Sequence, residues 1–431
     1  MISVDMNTLV LERPEESAYL NCIRCGLCLA VCPTYREYLK ETVSPRGRVA
    51  LARQGLEGQL ELSPNLVEQM YNCFACMACN ELCPVGIRPA ELVLSMRHVS
   101  EQMVPSKFKS ALFGGLIPHA GRMELATLPL RLYEGLGLRR LVYWLGLQRL
   151  LPAYFRDLEA MLPRIPQRPL RQSLPKVVPA AGGARYRVGF FLGCAQNVLF
   201  AEESHATVRV LARNGCQVTT PPDVQCCGMP ARGYGRMDLV RAQARHNIAV
   251  FERCPVDVIV TDCATCGSTL KEYGELLAGE PEWAGRAAAF SRKVRDVSEF
   301  LGEIPLAKPQ GKIVARVTYH DPCHLRRGQG VWKQPRNLLK LIDGLELVEL
   351  PEANWCCGSA GSQLITHPET SRKVMDRKMD NLASTGASVI ASGCPGCQMQ
   401  LQTGIRRYGL KVRAVHPVTL LDEAYGGSDG H

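Results

Sequence analysis

Four short apolar runs mark the C-terminal half of the chain: Arg187–Leu192 (RVGFFL), Val256–Thr261 (VDVIVT), Ala315–Tyr319 and Ala387–Ala391. Each is predicted to be a buried strand. Helical patterns follow them, for example Ser268–Leu277 and Gln398–Arg407. Strands alternating with helices predict a parallel α/β sheet, in which sites form at the carboxyl ends of strands. Ahead of these runs the texture changes. Leu136–Leu151 is apolar with basic punctuation. It reads either as a helix lying on a membrane surface, arginines toward anionic headgroups, or as a helical layer packed over neighbouring domains, the commoner use of an amphipathic stretch. The proline-rich stretch Leu162–Pro179 is predicted to be a semi-rigid connector.

A length of 431 residues predicts two to three domains. With 46% hydrophobic and 21% charged residues, a collagenous or largely disordered chain is excluded. No apolar run approaches the roughly 18 residues of a membrane-spanning helix. Met1–Ser17 has neither the basic start nor the apolar core of a signal peptide. The unusual count is 20 cysteines. Without an export signal they are expected to serve metal or redox chemistry in the cytoplasm rather than a disulfide scaffold. The formal net charge is +10. Residues 103–176 hold 12 Lys/Arg against 4 Asp/Glu, a balance of +8. No recognised reader motif accompanies that charge, so a nucleic-acid partner is not expected.

Eight cysteines fall in two blocks of identical spacing: Cys22, Cys25, Cys28, Cys32 before Pro33, and Cys73, Cys76, Cys79, Cys83 before Pro84. This is the bacterial ferredoxin run, in which three thiolates wrap one cubane and the fourth ligates the other cluster. Cys22, Cys25, Cys28 and Cys83 are therefore expected to hold one [4Fe-4S] cluster, and Cys73, Cys76, Cys79 and Cys32 a second. Pro33 and Pro84 are expected to turn the chain away from the cluster. Zinc sites ordinarily use two separated CxxC pairs, not four cysteines in eleven residues.

Ten further cysteines form an internal repeat. Cys194, Cys226, Cys227, Cys263 and Cys266 recur as Cys323, Cys356, Cys357, Cys394 and Cys397, at offsets of 129, 130 and 131 residues. Each adjacent pair is followed by glycine, Gly228 or Gly358. Five thiolates exceed both a zinc tetrahedron and one cubane, and so point to a polynuclear iron site. The ligand loops are expected at helix N-termini, where free N–H groups favour an anionic group. Cys216 and Cys254 fall outside the pattern and are expected in the core. His320 and His324 bracket Cys323, either tuning a cluster through hydrogen bonds or stabilising a turn. His205, His246 and His416 show no evident partner.

The repeats resemble the cysteine-rich CCG domain of heterodisulfide reductase and its relatives. Two ferredoxin blocks followed by two such domains resemble the iron–sulfur subunit family of glycolate oxidase. Pro45-Arg46-Gly47-Arg48, Trp355 to Gly361 and Thr366-His367-Pro368 are especially similar to it. The resemblance implies an α+β chain: a helical two-cluster ferredoxin-like domain (1–102), a basic helical and proline-rich linker (103–184), and two α/β CCG repeats (185–305 and 310–425). It implies two [4Fe-4S] clusters and up to two further, non-cubane ones on the CCG cysteines. It also implies an oxidoreductase complex in which FAD-binding subunits oxidise glycolate or D-lactate. This chain would relay electrons to a quinone or another carrier, with a peripheral contact on the membrane's inner face. No G-x-G-x-x-G or Walker A pattern occurs here, and no general-base constellation stands out, so no catalytic residue is assigned. The alternatives are a catalytic disulfide reductase subunit, as in heterodisulfide reductase, and the iron–sulfur subunit of anaerobic glycerol-3-phosphate dehydrogenase.

Overall fold

The computed structural model describes residues 12–150, 152, 156, 159, 161–361 and 363–427. Most of Met1–Ser17 and Leu151 lie outside them. The chain forms two units, one of residues 1–115, 228–241 and 358–374, the other of the remainder.

The first unit is helical. Its core gathers Tyr19, Val49, Ala52, Leu66, Met70, Leu92, Val93 and Met96, with Cys22, Cys73 and Cys83 packed against it. Three helices supply most of these side chains: Pro45–Leu56, Pro64–Tyr71 and Pro89–Met103. Each starts with proline, whose fixed φ and missing N–H suit the first turn. Ser44 and Ser63 cap the first two, accepting from Gly47 N–H at 2.9 Å and Leu66 N–H at 3.4 Å. Residues 45–48 each have a local task. Pro45 opens the helix. Arg46 pairs with Glu41 at 2.7 Å. A Cβ on Gly47 would stand 1.9 Å from the Glu41 carbonyl oxygen. Arg48 is buried, donating to Gln69 O at 2.8 Å and Thr34 Oγ1 at 3.2 Å.

The two later segments of this unit begin directly after the adjacent cysteine pairs, at Gly228 and Gly358. Tyr234 of the first stacks on Phe113 at 5.0 Å. His98 Nδ1 meets Gly235 O at 2.6 Å. From the second segment, Gln363 donates to the carbonyls of Tyr71 and Cys73.

The second unit holds two sheets of repeated plan. The first comprises β1 (Val177–Val178), β2 (Tyr186–Phe190), β3 (Cys216–Thr219), β4 (Val258–Thr261) and β5 (Val294–Asp296), in the order β1-β3-β2-β4-β5. Only β1 runs antiparallel to its neighbour. The second comprises β6 (Lys312–Tyr319), β7 (Asp343–Val348), β8 (Val389–Ala391) and β9 (Arg413–Val415), all parallel, in the order β7-β6-β8-β9. The four predicted strands correspond to β2, β4, β6 and β8. Strand β6 starts earlier than expected because its outer residues alternate in exposure. One continuous core joins the sheets, with Val188, Phe190, Val218 and Val260 from the first and Val317, Tyr319, Val389 and Ala391 from the second.

Candidate metal centres

Both ferredoxin-type runs adopt the same backbone. Arg24 and Gly26 of the first have φ of 55° and 85°, and the matching Ala75 and Met77 of the second 48° and 60°. Left-handed residues at both places turn successive sulfurs toward one point. One cavity is lined by Cys22, Cys25, Cys28, Cys79 and Cys83. A second is lined by Cys32, Cys73, Cys76 and Cys79. The fourth cysteine of each run thus lines the other run's cavity. Pro33 does not merely turn the chain: it opens a helix, Pro33–Tyr38, with Cys32 as N-cap.

These thiols are crowded, and Cys32 and Cys76 are buried while Cys25 is exposed. Burial pushes Cys28 up to about 11, and the neighbouring Cys32 and Cys22 add to the rise. Burial, then Cys73 and Cys76, holds Cys79 well above the ordinary thiol range. Burial also raises Cys32, opposed by the Arg48 guanidinium. Cys28, Cys32 and Cys79 thus resist ionisation until a cation joins them, and a metal core supplies that charge.

Arg97, unremarked in the sequence, is the second buried cation here. Its guanidinium donates to the carbonyls of Met70 (2.7 Å), Cys73 (2.6 Å) and Gly233 (2.9 Å). It therefore fixes the start of the second cysteine loop. The signal available was an arginine on an apolar helix face, among Val93, Met96 and Val99.

In the second unit every ligand segment leaves the carboxyl end of a strand. Cys194 and Cys323 open helices after β2 and β6, and Cys263 and Cys394 cap helices after β4 and β8. The adjacent pairs Cys226-Cys227 and Cys356-Cys357 follow β3 and β7. This is the switch point of an open α/β sheet. Cys194 Sγ lies 3.7 Å from Cys226 Sγ. Cys357 and Cys397 sulfurs lie 3.3 Å apart, and Cys323 Sγ lies 3.3 Å from His324 Nδ1. The Cys263 Sγ accepts the Cys266 N–H at 3.4 Å. Hydrogen bonds from Cys194 and Cys227, then burial, raise the Cys226 thiol; Cys227 and Cys263 do the same to Cys266. In repeat two Cys357 is held well below the usual thiol range, first by Cys356 and Cys397 and then by His320.

The two repeats meet sulfur to sulfur. Cys263 hydrogen-bonds Cys394 and holds that thiol down. Thr265 Oγ1 lies 3.4 Å from Cys394 Sγ, and Ala264 N–H donates to Gly393 O at 3.0 Å. No cysteine forms a disulfide among the described residues. Sulfurs 3.3–3.7 Å apart are far beyond a covalent bridge of about 2.05 Å and suit ligands of one core. The residues present fit iron–sulfur groups.

Several side chains depart from expectation. Cys216 is fully buried, but Cys254 is half-buried and donates to Val250 O, so it is not a core residue. The three histidines have partners: His205 meets Ser173 Oγ at 2.8 Å, His246 meets Asp223 O at 2.7 Å, and His416 Nδ1 accepts from Val418 N–H at 3.1 Å. Burial depresses His416 to about 4. Lys378, another buried cation, donates to Glu352 O at 2.6 Å, and burial lowers it to about 8 against the pull of Cys357 and Cys356. In the linker, the helices Leu128–Gly135 and Leu138–Trp144 bury none of their residues. Leu132, Leu136, Leu141, Trp144 and Leu150 are among the exposed apolar side chains, so this stretch is not a layer packed face-down on its unit. No helix among the described residues is long and apolar enough to cross a membrane.

Comparison with known proteins adds the relationship. A model described as cysteine-rich domain matches residues 188–271 and 317–402. A 4Fe-4S dicluster model matches 18–87, and a model for the linker region of the glycolate oxidase iron–sulfur subunit matches 105–162. A Bacillus subtilis (strain 168) protein named "Probable glycolate oxidase iron-sulfur subunit" is 39% identical over 430 residues, 96% of either chain. The Escherichia coli (strain K12) glycolate oxidase iron–sulfur subunit is 31% identical over 412 residues, 93% of either chain. Lactate utilization protein A of Oceanobacillus iheyensis is 32% identical over 237 residues, 55% of this chain and 96% of its own. Matching motifs along the chain, together with identity across nearly its whole length, make it a member of the glycolate oxidase iron–sulfur subunit family.

Proposed function

We propose that this chain is the electron-transfer subunit of a complex that oxidises glycolate or D-lactate on a partner flavin and passes the electrons to a quinone or another carrier. The observation that carries the reading is the meeting of Cys263 with Cys394. It sets the ligands of two centres side by side, as a relay needs and isolated structural sites do not. Relatives named for glycolate oxidase and lactate utilization support the substrate class.

In this reading one [4Fe-4S] cluster sits on Cys22, Cys25, Cys28 and Cys83, and a second on Cys73, Cys76, Cys79 and Cys32. The ten repeat cysteines hold two more. The working segments are 1–102, 103–184, 185–305 and 310–425. Bound iron–sulfur groups supply one-electron acceptance and release. The chain's own residues set where and how easily this happens. Arg48 and Arg97 place fixed positive charge beside Cys32 and Cys73, which favours the reduced, more negative state. Burial of Cys32, Cys76 and eight of the ten repeat cysteines keeps water from those sulfurs.

Direct disulfide reduction at the repeats is less well supported, because eight of their ten cysteines are buried and only Cys194 and Cys323 are partly exposed. The exposed apolar and basic linker supports a cytoplasmic chain resting on an anionic membrane.

The test is anaerobic purification with iron and sulfide analysis, EPR, and turnover in the assembled complex. About sixteen irons per chain are expected, four per cluster. Cys25→Ser should remove one signal and halt acceptor reduction while substrate still bleaches the partner flavin. Iron-free, colourless protein would refute the relay.

A further inference from the structure

The two repeats are built alike but are not alike at their centres. Phe191 and His320 each follow the last residue of a central strand, β2 or β6, and each stands three residues before the first repeat cysteine. Their backbones are held identically: Phe191 N–H donates to Val260 O of β4 at 2.8 Å, and His320 N–H to Ala391 O of β8 at 2.9 Å. The side chains differ in kind. Phe191 is fully buried and stacks on Phe251 at 6.2 Å. His320 is equally buried, at 1% exposure. Neither of its ring nitrogens meets a nitrogen or oxygen hydrogen-bond partner.

With only the Cys357 sulfur beside it, the buried imidazole is short of a hydrogen bond at about 1–3 kcal/mol, so a group outside the polypeptide is expected to complete it. The surroundings name its chemistry. A nitrogen of His320 and the sulfurs of Cys357 and Cys397 all lie within 4.8 Å of one another. Ligands at roughly 2.0–2.3 Å from one metal atom stand at comparable separations. Lys378 reinforces the difference. It is the eleventh residue of the helix Pro368–Ser384, where the matching helix Met237–Glu252 has the neutral Asn247. Lys378 is fully buried.

We infer that His320 binds iron in the repeat-two centre as a nitrogen ligand beside Cys357 and Cys397, and that the repeat-one centre has no such ligand. Both repeats keep five cysteines, so His320 adds a neutral ligand and replaces no thiolate. The difference in potential comes from Lys378, a fixed positive charge in repeat two where repeat one has Asn247, which favours the reduced, more negative state. The repeat-two centre is therefore the more readily reduced of the pair. This rests on the reading that the repeat sites hold iron.

The test uses the full-length holoprotein, prepared anaerobically from a histidine auxotroph fed 15N-histidine and studied by pulsed EPR after dithionite reduction. A directly bonded nitrogen coupling is expected that changes with the isotope. It should survive in His324→Gln and His416→Gln and vanish in His320→Phe. In a potentiometric titration Lys378→Met should make that one signal at least tenfold harder to reduce, about 59 mV for one electron. With about sixteen irons present, no nitrogen coupling, or its loss in His324→Gln or His416→Gln instead, overturns the inference and leaves the relay standing. A count near eight removes the occupied repeat sites themselves, and the inference with them.

Discussion

Met77 holds the same left-handed backbone as Gly26, its counterpart in the other cysteine run, with φ of 60° against 85°. Glycine reaches this region freely, whereas a side chain costs roughly 1–2 kcal/mol there. The strain at Met77 persists because the neighbouring cysteines must all face one cavity.

Gly26→Ala should therefore destabilise the loaded protein by about 1–2 kcal/mol. The new Cβ would also stand 2.8 Å from Arg46 Nη1, which donates to Arg24 O. Met77→Gly should be neutral or stabilising by up to about 1 kcal/mol, since relief of strain is partly offset by unfolded-state entropy. The thermal midpoint for loss of the visible iron–sulfur absorbance reads both. Equal damage from the two changes would show that the backbone conformation is not what matters.

Arg97 makes a different kind of prediction, because one side chain serves several carbonyls. Arg97→Met removes one donor from each of the oxygens of Met70 and Cys73; Met70 O keeps the Cys73 N–H and Cys73 O keeps Gln363, so the cost should be about 1–3 kcal/mol in all. Arg97→Lys keeps the charge but not the planar fork, and should recover only part of the loss. Denaturant midpoints order the three proteins. A lysine variant as stable as the parent would mean that charge alone suffices.

How much of this was legible in the residues depends on what carried the information. The eighteen cysteines proposed as ligands stood out because a metal core demands fixed spacing. The four strands β2, β4, β6 and β8 were legible because strands buried on both faces are continuous apolar runs. The other strands were not. β5 (Val-Arg-Asp) and β9 (Arg-Ala-Val) are short and carry charge, unlike the equally short but wholly apolar β8, and the surface side of β7 is too polar to stand out. Arg97 and Lys378 escaped because a lone cation in an apolar pattern looks like a solvated residue until its partners, distant in sequence, are known. The segments 228–241 and 358–374 join the helical unit, and no local pattern announces that.

Asp296 gives a pH dependence with a definite sign. It caps the helix Val297–Glu303, accepting from Ser298 N–H at 2.8 Å, and it is buried. Burial raises its pKa to about 7, opposed by the Ser298 N–H. The folded state thus keeps a proton that the unfolded chain releases near pH 3.9. Stability from this group is complete below that value and declines as pH rises toward 7. Asp296→Asn keeps a good cap but cannot titrate. Its stability should vary less between pH 4 and 7 than the parent's, by urea denaturation. Identical profiles would assign the dependence to other groups.

The linker offers the last test. Trp144 is 82% exposed and Leu141 46% exposed, on a helix that buries nothing. An apolar surface of this kind on a basic segment suits an anionic bilayer, where the rings and leucines enter the interface and the arginines meet headgroups. The holoprotein should sediment with vesicles containing phosphatidylserine, less with phosphatidylcholine alone, and progressively less as salt rises. Burying one large apolar side chain is worth about 1.5–3 kcal/mol. Trp144→Ser should therefore weaken vesicle binding by roughly tenfold or more, at about 1.4 kcal/mol per decade, with iron content unchanged. Binding indifferent to both lipid charge and Trp144 would refute the bilayer contact and leave the surface to a protein partner.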